Sequence, residues 1–229
     1  MWRSGKLNRH QEIQAVAARL FREKGFRRTS LEEIARRLKI TKPALYHYID
    51  SKYDLLYAIC ESAVAELLAG AREIEGSPLP AEEKLRRLIA LHLEMFAKHG
   101  DITNVYLADE GELPPRRRRK VRALSREYET VLRGVLEEGM REGSLREMDV
   151  PMVARAISGM CNWLSAWYDP AGERSTGEIA EVFSGLVLEG CRKRETRCCP
   201  EKKRRHAEKL PEVGGARTPG RRDRGGARP

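Results

Sequence analysis

Apolar residues along this chain recur every three or four positions from Ile13 to Val187, and nowhere do they alternate every second position. That periodicity predicts helices sharing a core and argues against strands, so the expected fold is all-α with about nine helices. The first helix spans about Asn8 to Lys24, with Ile13, Ala17, Leu20 and Phe21 on one stripe and Gly25 as its stop. Ser30 and Glu33 then have the spacing of a capping box, and Leu31, Ile34, Ala35 and Leu38 follow at helical intervals. After the turn residue Ile40, Thr41 is the N-cap expected for a third helix with Pro43 in its first turn, burying Leu45 and Tyr48. Ser51 with Asp54 opens a longer helix carrying Leu55, Leu56, Ile59, Val64, Leu67 and Leu68. Two short capped helices joined by a tight turn are the layout of a helix-turn-helix, here about residues 31–50.

Gly76-Ser77-Pro78 breaks the pattern, and a second helical body is expected from 78 to 195. Leu85, Leu88, Ile89, His92, Met95 and Phe96 define a helix from Ala81 to His99. Gly100 predicts a break before a short segment, Ile102 to Leu107. A long helix follows from about Arg116 to Arg141, with Val121, Leu124, Tyr128, Val131, Leu132 and Val135 inward. The next starts near Val150 and runs through Met160, Trp163 and Trp167, and the last spans roughly Thr176 to Cys191.

The run from Asn8 to about Leu68 resembles the N-terminal domain of TetR-type transcriptional regulators. The resemblance rests on Phe21 and Gly25, on Thr29-Ser30 with Ile34-Ala35, on the segment Thr41 to Tyr48, and on Ser51-Lys52 with Leu55. It departs from the family at Ile49-Asp50-Ser51, where an aromatic followed by proline is usual. The resemblance implies a DNA-binding module over 8–68, acting as a homodimer on a near-palindromic operator. Carried over by position, Thr41, Lys42, Pro43 and Ala44 meet the groove, Tyr46 and His47 touch backbone or bases, and Thr29 and Lys52 clamp flanking phosphates. Pro43 and Ala44 offer a base only apolar contact, so part of the specificity is expected from DNA shape.

The charge pattern agrees. The chain carries a net +10, but residues 1–50 hold twelve Lys and Arg against five Asp and Glu, residues 191–229 fourteen against five, and the middle is net acidic. A basic first module on an acidic body suits a protein that meets a polyanion at one end. From about 196 to 229 the composition collapses into Arg, Lys, Gly and Pro, which reads as a disordered basic tail. No run of about 18 apolar residues marks a membrane span. The five cysteines (60, 161, 191, 198 and 199) have no metal or disulfide spacing, and Cys60 and Cys161 read as buried small hydrophobes. The chain reads as cytoplasmic.

In the body, the segment Gly159 to Pro170 looks like the TetR-type subgroup that responds to acyl-CoA thioesters and controls fatty-acid or sterol catabolism. Met95, Tyr128, Leu132, Met160, Asn162, Trp163 and Trp167 are therefore the candidate effector-binding residues. Core or interface packing is the alternative for the two tryptophans. The run Arg116 to Lys120 reads either as a holder of coenzyme A phosphates or as a solvated face. Residues 151–167 and 176–190 have the broad apolar faces of a four-helix dimer interface. No metal-protease, phosphate-loop or serine-hydrolase motif is present, so catalysis and a cofactor are not expected. The expected function is an effector-released repressor, the effector being a small apolar molecule such as an acyl-CoA. A drug- or aromatic-responsive efflux regulator and a constitutive DNA-coating protein are the alternatives.

Overall fold

The computed structural model describes residues 9–192; the reading of residues 196–229 as a basic tail falls outside the described residues. Eight α-helices in chain order make the fold, with no named strand among the described residues. The first four are α1 (Arg9–Lys24), α2 (Leu31–Arg37), α3 (Lys42–Tyr46) and α4 (Lys52–Glu75). The body adds α5 (Ala81–Asp109), α6 (Pro115–Glu142), α7 (Val150–Asn162) and α8 (Thr176–Cys191).

The caps fall where the hydroxyl residues predict. Ser30 Oγ accepts from Glu33 N at 3.2 Å, Thr41 Oγ1 from Ala44 N at 3.3 Å and Ser51 Oγ from Asp54 N at 3.3 Å. Only half of the capping box forms at Ser30, because the Glu33 carboxylate pairs with Lys24 instead of reaching back. The complete box is at Ser175 and Glu178, opening α8. Gly25 ends α1 with φ +83°, a left-handed conformation that glycine adopts without a Cβ clash.

Two hydrophobic cores form. Ile13, Phe21, Ile34, Leu45, Leu55 and Ile59 belong to the first, and Leu85, Leu88, Leu132, Leu136 and Ile157 to the second. They meet inside α4, whose Leu55 to Val64 half packs in the first core while Leu67, Leu68 and Ala71 pack in the second. The body also lends Val105, Leu113 and Val121 to the first core. A single 24-residue helix is therefore shared between the two cores.

Three expectations are corrected. Tyr48 is not buried; it is 38% exposed and stands edge-on to His10 at 5.3 Å. The break at Gly100 is a kink at His99 (φ −137°, ψ 39°), across which α5 continues to Asp109. The helix expected to run through Trp167 ends at Asn162 and tightens into a 3-10 turn, Trp163–Ala166.

Candidate DNA-reading face and effector cavity

α3 is short, and its placement rests on few residues. Leu45 is fully buried and Ile49 nearly so, which pins the helix to the first core and turns its remaining side chains outward. Thr41, Pro43, Tyr46 and His47 are exposed, and Lys42 and Ala44 are half-buried. Lys42 pairs with the Glu32 carboxylate, which raises its pKa through that hydrogen bond, and its ammonium lies 6.0 Å from the Tyr46 ring centre. A phosphate approaching Lys42 thus competes with Glu32. Tyr46 is 46% exposed, so an aromatic ring and a phenol stand at the surface at the end of this helix.

Thr29 and Lys52, expected to clamp phosphates, are engaged by the protein's own backbone. Thr29 is buried, and its hydroxyl contacts the carbonyl oxygens of Leu20 (3.2 Å) and Gly25 (3.1 Å). Lys52 Nζ donates to the carbonyls of Phe26 (2.9 Å) and Thr29 (3.0 Å) and lies 4.3 Å from the Phe26 ring centre. Desolvation lowers its pKa. Both side chains brace the loop between α1 and α2 and so hold the reading helices in place. Sequence position alone places them at the DNA; the burial of Thr29 and the carbonyls gathered around Lys52 are tertiary facts. Tyr48 and Tyr53 are the exposed aromatics of this module that the sequence reading leaves out of the candidate face.

Inside the body, α4, α5, α6 and α7 enclose a cavity of about 350 Å³. Of the candidate effector-binding residues, Met95, Tyr128 and Asn162 line it, together with His92, Tyr106 and Ser125. His92 is buried and engaged at both ring nitrogens: Nδ1 lies 3.0 Å from Tyr128 Oη and Nε2 lies 3.0 Å from Asn162 Oδ1. An amide oxygen only accepts, so Nε2 carries the proton and Nδ1 accepts from the phenol. Burial pushes the His92 pKa down to about 4, so the ring is neutral. Tyr106 Oη and Ser125 Oγ lie 2.9 Å apart, a second polar pair on the wall. The cavity is an apolar hollow with a few placed hydrogen-bonding groups, the usual character of a small-molecule site.

The other candidates lie elsewhere. Leu132 is fully buried core outside the cavity lining. Met160, Trp163 and Trp167 do not line it either; the tryptophans are 67% and 49% exposed. The 3-10 turn accounts for the tryptophans, because three residues per turn in place of 3.6 carries Trp163 and Trp167 off the face that an α-helix would share. The basic run on α6 is not at the cavity: Arg117 pairs with Asp54 and stacks 5.6 Å over Tyr57, and Arg118 donates to Gly111 O. It ties α6 to the start of α4. His92 reads in sequence only as helical packing, because its partners are 36 and 70 residues away.

Comparison with known proteins decides what this arrangement is. Residues 13–59 match the family model for bacterial regulatory proteins of the tetR family, and residues 78–191 match the tetracyclin repressor-like C-terminal domain. The chain is 30% identical over 190 residues to the HTH-type transcriptional repressor KstR2 of Rhodococcus jostii, covering 82% of this chain and 93% of that one. The chain belongs to the tetR family. It is a DNA-binding, ligand-responsive regulator of transcription, and it is similar to regulators named for ketosteroid and fatty-acid metabolism. Another relative, the fatty acid metabolism regulator protein of Bacillus subtilis, is 23% identical over 155 residues, covering 67% of this chain and 80% of its own. Among solved structures, AibR in complex with isovaleryl coenzyme A and operator DNA superposes with a TM-score of 0.72. That match has 25% identity and covers 79% of this chain and 98% of AibR. No helix among the described residues is long and apolar enough to cross a membrane.

Proposed function

We propose that this regulator represses transcription as a homodimer on a near-palindromic operator and leaves it when an acyl-CoA occupies the body cavity. One observation carries the reading. α4 lines the cavity through Ala63, Val64 and Leu67, and the same helix packs the reading domain through Leu55, Leu56 and Ile59. A ligand that prefers one position of α4 therefore shifts the reading helices by its differential affinity for the two states. The AibR complex supports a coenzyme A thioester as the class of effector and DNA as the partner. The neutral His92 and the paired Glu129 and Arg155 at the cavity suit an uncharged ester or thioester carbonyl.

The dimer reading draws on the outer face of α7, the 3-10 turn and α8. Met152, Trp163, Trp167, Val182 and Leu186 are each about half exposed or more. Large apolar side chains left at the surface mark an interaction site, and two copies of a helix pair form a four-helix interface. The exposed tryptophans are interface anchors in this reading, not cavity lining.

The DNA contacts of this reading are Thr41, Lys42, Pro43, Ala44, Tyr46 and His47 on α3. The working site is the cytoplasm, where a bacterial operator is found. The test uses a duplex selected by the protein from a random pool. Anisotropy of that duplex is expected to show two chains per site and release by saturating palmitoyl-CoA. Tight selective binding untouched by any acyl-CoA would remove the effector assignment, and release by a planar aromatic compound would favour the efflux-regulator alternative.

A further inference from the structure

A second hollow, of about 630 Å³, lies beyond the inner wall of the effector cavity. Gln14 and Ala15 of α1, Glu66 of α4, and His99 and Ile102 at the α5 kink are part of its lining. Ala63, Met95 and Thr103 line both hollows, so the partition between them is one residue thick. Its longest side chain is Met95, an unbranched thioether with several rotatable bonds that repacks readily. The Thr103 hydroxyl donates to the Met95 backbone carbonyl at 3.4 Å, which fixes the chain there without engaging the thioether. The inner cavity faces solvent on the α7 side, where Arg155 and Gly159 are exposed. From that mouth a ligand meets His92 and Tyr128, then Met95, then the outer hollow against α1.

We propose that Met95 is a gate that makes this regulator respond to effector length. The proposal rests on the acyl-CoA reading above. A short acyl group ends at Met95 and stays in the inner cavity. A longer one turns Met95 aside and enters the outer hollow, where it touches Gln14 and Ala15 of the helix that carries the first core. Both ligands touch α4, but only the longer one also reaches α1, so it makes more of the contacts that depend on where the reading domain sits, and contacts that differ between the two states are what move the equilibrium. Each hollow by itself falls within the roughly 300–1,000 Å³ of small-molecule sites. Each methylene that enters the outer hollow raises affinity by about fourfold.

The experiment uses the full-length protein, the selected duplex, and butyryl-, octanoyl- and palmitoyl-CoA as probes. Calorimetry follows binding, and duplex anisotropy follows release. At matched occupancy, palmitoyl-CoA is expected to release the duplex and butyryl-CoA to leave it bound. Met95→Trp closes the gate, and palmitoyl-CoA affinity falls at least about a hundredfold while butyryl-CoA affinity changes less than about threefold. Ala15→Phe, on the exposed side of α1, fills the outer hollow without altering the partition and is expected to give the same split. It decides the matter if Met95→Trp does not fold. Equal weakening of all three probes in the variant that folds, or undiminished palmitoyl-CoA binding, would overturn the gate. If no acyl-CoA binds the unaltered protein, the effector reading falls and the gate with it; if all three bind and release the duplex alike, the gate falls alone.

Discussion

The neutral His92 at the centre of the body makes stability depend on pH in a window set by one residue. Its ordinary pKa of 6.5 falls to about 4 in the fold, because burial penalises the charged ring. The unfolded chain therefore binds a proton between pH 6.5 and 4 that the folded chain refuses. The contribution of this group is fully present above pH 6.5, is lost as pH falls, and stops changing below about 4. Two and a half units correspond to about 3 kcal/mol in all, of which about 2 kcal/mol is gone by pH 5. His92→Gln removes the titration while keeping an oxygen to accept from Tyr128 and an amide to donate to Asn162. Urea unfolding of both proteins, followed by circular dichroism from pH 8 to 4, isolates the difference from the carboxylates that titrate in both. The unaltered protein is expected to lose about 2 kcal/mol more than His92→Gln between pH 7 and 5. Parallel curves would show that His92 is solvated or already charged, and the reasoning from its burial would be refuted.

Other expectations follow from single sites. Lys84 is buried and its ammonium bonds both Glu138 oxygens at 2.8 and 3.0 Å. Glu138→Ala, which strands the lysine, should cost about 3 kcal/mol or more in urea unfolding, and Lys84→Met distinctly less. Lys39 holds φ +57° in the turn between α2 and α3, so Lys39→Gly should leave thermal stability equal or raise it by up to about 1 kcal/mol; a loss of similar size would contradict the strain. Gly139 has no room for a methyl group, since a Cβ there would sit 2.6 Å from a Leu145 methyl; Gly139→Ala should lower the melting temperature by the equivalent of about 1–3 kcal/mol.

What the sequence makes legible is what acts over one or two helical turns. Ser30, Thr41 and Ser51 announce their helices because a hydroxyl and an amide three residues on satisfy each other whatever the rest of the chain does. The stripe of Ile13, Ala17, Leu20 and Phe21 is equally local, and all four are buried. The misreadings need long-range facts. Lys52 looks like a surface cation until the carbonyls of residues 26 and 29 are brought to it, and Thr29 looks free until α1 ends beside it. Trp163 and Trp167 share a face only if the helix continues, and the tightening at Asn162 leaves no mark in apolar spacing. His92 becomes a polar centre only when α6 and α7 deliver Tyr128 and Asn162.

The central claim is that the outward side of α3 reads DNA, and Tyr46→Ala tests it most directly. Tyr46 is about half exposed, so its loss should change the melting temperature little. If it touches the duplex, a dimer loses the contact twice, and affinity for the selected duplex at fixed salt should fall at least about tenfold. Unchanged affinity in Tyr46→Ala, Lys42→Ala and His47→Ala alike would place the DNA on some other surface of the molecule.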